Sequence, residues 1–263
     1  MSEHSTVART GRQRRPPEVR SAAVGDQAAG KVAVAASILF AVLAAGQLVL
    51  AGWCGLRYRR TGDRMLIVPA VVCAALGYDN AIVAAGRWIG VDGTLETLSV
   101  FRFVAHLLLT PLLMPWACAA AGLAGVVWLR PVWARVVVGA ATLSVIALGV
   151  FGELTRLTLR PAEWAGTIRY TTEHSSPAGI LPPVVTVVVV LVAAVAVWRV
   201  RGYRLWTVTT VTMTVVSAAM PPMLLTNAAE LAFMGGVAAT AVWLSGPGRM
   251  PGPPAQDRQS AGR

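Results

Sequence analysis

Residues 65–86 read MLIVPAVVCAALGYDNAIVAAG, twenty-two positions carrying one charge, Asp79. As an α-helix this stretch would reach about 33 Å, enough to cross a hydrocarbon core of about 30 Å, so its length and polarity decide between a soluble core helix and a membrane span. Six runs of similar character flank it, at 32–56, 103–129, 132–155, 180–198, 203–220 and 224–244. The expectation is an all-α polytopic membrane helix bundle of about seven transmembrane helices over 31–245, multi-pass and integral to the cell membrane.

Composition agrees. Of 263 residues, 56% are hydrophobic and only 13% charged, with a mean hydropathy of +0.62, which leaves too little polar surface to cover a soluble globule. The net charge of +11 comes from arginines in tails and loops, Lys31 being the sole lysine. Basic residues placed this way set membrane orientation and touch anionic headgroups; a nucleic-acid partner is not expected. Residues 1–30 and 246–263 are rich in Arg, Pro and polar residues without apolar periodicity and are expected to be disordered tails. Cys54, Cys73 and Cys118 fall in apolar runs and read as small buried hydrophobes.

The connections alternate in charge. Those around 57–64, 130–135 and 199–204 carry nine arginines against one acid, Asp63, whereas the other three mix arginines with Asp92, Glu96, Glu163 and Glu173. The positive-inside rule then puts the arginine-rich end in the cytoplasm and the N-terminus outside, against the pull of five arginines in the N-terminal tail. The uncharged link at Pro221-Pro222 is expected to be short and partly buried.

Threading the runs alternately through a bilayer brings their polar residues to one depth. Asp79 lies past the middle of its span, Arg102 and His106 fall in the first turns of the next, Glu153 ends the fourth, and Asn227 and Glu230 open the last. Arg102 and His106 are four apart and Asn227 and Glu230 three apart, so each pair shares a helix face. An aspartate near mid-span costs about 2.5–3.5 kcal/mol on insertion scales, so Asp79 needs a partner, water or a function. Arg102 and His106 are its nearest candidate partners. Tyr78, Phe101, Phe103 and Trp88 are candidates for an aromatic wall, and Tyr78, Asn80, Arg102, Glu153 and Asn227 for substrate binding.

Some chemistries lack their residues. No GxxxxGK[ST], HExxH, CxxC or GxSxG motif occurs. His106 and His174 are the only histidines outside the N-terminal tail, an unpatterned pair and a weak basis for haem, so no cofactor or metal is expected. What remains is acid–base chemistry on a lipophilic small molecule, with Asp79, Glu230 and His106 as catalytic candidates. Asp79, buried deeper, is the stronger candidate for the protonated acid, and Glu230 for its ionised complement.

A seven-span bundle of this length, with one acid (Asp79) in the second span and another (Glu230) in the last, resembles the small multi-pass membrane terpene cyclases. That resemblance implies protonation of an isoprenoid alkene or epoxide and steering of the carbocation that follows. The segment from Gly77-Tyr78-Asp79-Asn80 to Arg102-Phe103-Val104-Ala105-His106 also resembles a motif of uncharacterised bacterial and plant membrane proteins, which implies no activity. The alternatives are a proton-coupled small-molecule transporter and a non-catalytic membrane partner protein.

Overall fold

A computed structural model describes residues 17–173, 177–220 and 222–246. The described residues are 83% helical. Its helices are α1 (Pro17–Thr61), α2 (Ile67–Ile89), α3 (Gly93–Leu109), α4 (Leu113–Ala124), α5 (Val132–Gly152), α6 (Pro177–Arg201), α7 (Leu205–Ala218) and α8 (Met223–Leu244). Among the described residues, six helical segments are long and apolar enough to cross a membrane, α3 and α4 counting as one segment over Gly93–Ala124.

The expected seventh span is the exception. Leu205–Ala218 is apolar but has 14 residues, about 21 Å of helix, short of the ~30 Å core. In the link after it, Met220 is 89% exposed and turns the chain at φ 46° and Pro222 is exposed, while Pro221 lies outside the described residues.

Two helix starts differ from expectation. Asp92 caps α3, its Oδ1 accepting from the Leu95 N–H at 2.9 Å, so the helix starts ten residues before the apolar run does. Arg102 and His106 therefore lie in its third and fourth turns, about 14 and 20 Å from its start, deeper than the first turns expected. At the other end of the chain, α1 begins at Pro17, inside the segment expected to be a disordered tail. Residues 1–16 and 247–263, the rest of both expected tails, lie outside the described residues, as does His174.

The all-α expectation also missed a β-hairpin. Strands β1 (Leu159–Trp164) and β2 (Thr167–Thr172) pair antiparallel, with Trp164 opposite Thr167. Ala165 (φ 49°) and Gly166 (φ 75°) form the two-residue loop, and positive φ at both positions matches the right-handed strand twist. Thr167 Oγ1 closes the turn by donating to the Trp164 carbonyl at 2.7 Å. The hairpin packs against the interior of α1, around Ala33 and Phe40, and against the last turns of α2. Trp164 meets Phe40 edge-on at 5.8 Å, and the Ile168 carbonyl presses against Gly86 where a Cβ has no room.

The bundle's core lies toward the opposite end, where Ser245 Oγ at the close of α8 donates to Asp63 Oδ2 at 3.0 Å. Trp116 and Trp206 meet edge-on at 5.4 Å there, and Trp116 Nε1 donates to the Met65 carbonyl at 2.8 Å. Cys54, Cys73 and Cys118 are buried and free.

Candidate functional site

Prolines interrupt the backbone ladder of two helical segments where the cavity forms. Thr110–Leu112, containing Pro111, is a 3-10 turn between α3 and α4, while Pro182 and Pro183 sit near the start of α6 and cannot donate to its ladder. Thr110, Pro111, Pro182 and Pro183 all line one cavity of about 410 Å³ near the hairpin end. Further apolar wall comes from Phe103 and Leu107 of α3, Leu154 and Leu157 after α5, and Ile180 of α6.

Six polar side chains read from the sequence open onto this cavity: Asp79, Arg102, His106, Glu153, Asn227 and Glu230. They come from α2, α3, the end of α5 and α8. Arg102 Nε donates to Asp79 Oδ1 at 2.7 Å, with the two side chains 9% and 20% exposed. Mutual pairing offsets the cost of placing both charges among apolar helices. The pair is one-pronged, however, and the buried Arg102 Nη1 has no hydrogen-bond partner among the described residues.

Asn80 and Tyr78 face elsewhere. Asn80 is fully buried, donates to the Leu76 carbonyl at 2.9 Å and accepts from Asn227 Nδ2 at 2.9 Å, tying α2 to α8. Tyr78 donates to the Leu98 carbonyl at 2.9 Å and fastens α2 to α3. Neither lines the cavity; both join helices. The expected aromatic wall is absent too: Phe103 lines the cavity, but Trp88 and Phe101 are 66% and 60% exposed on the outer surface.

Glu230 and His106 differ from Asp79 in being unengaged. Among the described residues neither makes a hydrogen bond or ion pair, and both line the cavity. Glu153 is brought close to α6 because Gly179 has no side chain: a Cβ there would meet the Glu153 carboxylate at 2.7 Å.

The hairpin adds residues that sequence reasoning missed. Thr172 of β2 lines the cavity, and Arg169 Nη1 donates to the sulfur of Met223, another lining residue, at 2.8 Å. Burial pushes the Arg169 guanidinium below its usual value, Arg102 adds to the effect and Asp79 opposes it. Arg169 nevertheless stays a cation at neutral pH. The available signal was alternation through Thr167-Ile168-Arg169-Tyr170-Thr171 after Ala-Gly, a weaker hairpin mark than Asn-Gly.

Among the described residues no group of three or more His, Cys, Asp or Glu is placed to hold a metal ion. The arrangement suits proton exchange with, and orientation of, a molecule that is apolar over most of its surface. No family model matches the chain, nor does any curated protein or solved structure compared with it.

Proposed function

We propose that this chain is a multi-pass membrane protein, with α7 as a short seventh pass, that binds a lipophilic small molecule in the cavity and performs acid–base chemistry on it. The observation that carries the reading is the pairing of two unengaged proton-exchanging groups, Glu230 and His106, with an apolar-walled cavity of about 410 Å³. That volume falls in the range of small-molecule sites, which are mostly apolar with a few convergent polar groups.

The two carboxylates take the reverse of the roles expected from depth alone. Asp79 accepts from Arg102, the posture of a fixed anion, so it serves to stabilise positive charge developing on the substrate. Glu230 gives a proton to a carbon–carbon double bond or an epoxide oxygen. His106 then takes a proton from a carbon beside the cation. One proton enters and one leaves, so the reaction is an isomerisation or cyclisation that needs no oxidant or reductant. An isoprenoid is the substrate class that this chemistry and the apolar walls favour, in keeping with the resemblance to membrane terpene cyclases.

Lipid profiling by mass spectrometry of cells expressing the wild type and Glu230→Gln tests the reading. A product present with the wild type should fall by about 10²–10⁴-fold with the variant at equal protein level, the usual scale for acid–base catalysis. Identical lipid profiles in the two strains contradict it.

A further inference from the structure

Away from the cavity, an open groove of about 700 Å³ runs between the segment around Val126–Trp128 and one stripe of α6. Leu191, Val192, Val195, Ala196, Arg199 and Val200 form that stripe, all on one helix face. From Leu191 to Arg199 it is about 12 Å long, close to the ~15 Å depth of one leaflet's hydrocarbon. The groove is apolar along its length. Val192 and Val127 are 50% and 72% exposed over a floor that includes buried Val126.

Its mouth is charged. Arg199 lies at the arginine-rich end of the bundle, in the last turn of α6. Neighbouring cations are engaged: Arg204 lies over the Trp198 ring at 5.9 Å, Arg201 over Trp243 at 5.9 Å, and Arg130 Nε donates to the Gly122 carbonyl at 3.1 Å. Arg199 is exposed and, among the described residues, makes no hydrogen bond, ion pair or ring contact. Trp128, half exposed, stands beside the mouth with a ring suited to the headgroup level.

We infer that this groove is a discrete site for an anionic phospholipid, one acyl chain lying along α6 and the phosphate at Arg199. An acyl chain fits the apolar stripe, its length fits one leaflet, and the anionic head complements the free guanidinium. The site rests on the membrane reading of the bundle and is independent of the cavity's chemistry.

Native mass spectrometry of the detergent-purified protein, titrated with phosphatidylglycerol or phosphatidylcholine of identical chains, tests it. The wild type should retain phosphatidylglycerol preferentially. Arg199→Gln should lower that retention about fivefold, the scale of one basic residue at an anionic surface, and lower phosphatidylcholine, whose choline cation offsets its phosphate, by clearly less. Val195→Trp, which fills the groove, should lower retention of both lipids, and Arg59→Gln, at the same end but off the groove, should change neither. Equal retention of the two lipids, or equal losses in Arg199→Gln and Arg59→Gln, overturns the site in favour of a diffuse basic face. Release of the chain from membranes by alkaline carbonate overturns the membrane reading and this site together; a carbonate-resistant chain without lipid preference overturns the site alone.

Discussion

The two ends of the bundle solve opposite problems. At the Asp63 end, large side chains fill the space: Trp206, Leu66, Leu113, Met234 and Leu244 pack in one cluster and are all less than 2% exposed. At the hairpin end, a smaller cluster of Phe40, Leu43, Val83 and Ala84 packs between α1 and α2, while the α3, α5, α6 and α8 side is left hollow and polar. In the bilayer setting proposed above, apolar lipid would supply little drive for helices to associate, so close packing would have to hold the bundle together. Concentrating it at one end lets the other keep a cavity.

The largest effect expected from breaking this contrast is at the packed end. Trp206→Ala should cost about 3–5 kcal/mol, removing a fully buried ring and its edge contact with Trp116. Thermal unfolding in detergent reads it. The same measurement on Glu230→Gln should stay within about 0.5 kcal/mol of wild type, because that side chain borders open space and makes no bond.

Next in size is the ion pair. Asp79→Asn should destabilise by about 3 kcal/mol, the low end for breaking a buried pair, since Asp79 keeps a fifth of its side-chain surface open. Replacing Asp79 and Arg102 together should recover much of the loss, which a double-mutant cycle on unfolding temperature measures. No recovery would mean that the pair is not the source of the cost.

Smaller again is the hairpin's seat. Gly86→Ala places a methyl against the Ile168 carbonyl, a backbone atom that cannot swing away. A cost of about 1–3 kcal/mol is expected from the forced displacement, together with faster protease cleavage between Leu159 and Thr172. Unchanged cleavage would show the hairpin free to shift. The smallest effect belongs to the Asn227–Asn80 hydrogen bond, whose coupling in a double-mutant cycle on unfolding in detergent should be about 0.6 kcal/mol, the average for such bonds in membrane bundles.

Much of the hollow end was legible because alternation of spans is arithmetic. Once seven runs are counted, Asp79, Arg102, His106, Glu153, Asn227 and Glu230 fall at one depth whatever the orientation, and the structure places all six around one cavity. The count itself was less secure: α7 has the composition of a span without its length. Orientation within a helix was harder to read than depth. Tyr78 and Asn80 adjoin Asp79 in sequence, yet successive residues on a helix point about 100° apart, and these two turn toward α3 and α8. The hairpin escaped because Leu159–Thr172 mixes charge with β-formers and turns on Ala165-Gly166, so it reads as an ordinary polar loop. Arg169 escaped with it, counted among loop charges when its neighbours are in fact Met223 and the Asp79–Arg102 pair.

Occupancy of the cavity is the central claim, and native mass spectrometry of the gently solubilised protein tests it most directly. Ile180 lines the cavity near its hairpin end, whereas Val188 is 54% exposed farther along α6 and lines no cavity described above. The wild type should carry a bound lipophilic molecule that survives washing; Ile180→Trp combined with Leu154→Trp should lose it, and Val188→Trp should keep it. A wild type that carries nothing after reconstitution in cell lipid extract, or a cavity-filled variant that keeps the same molecule, would contradict the account.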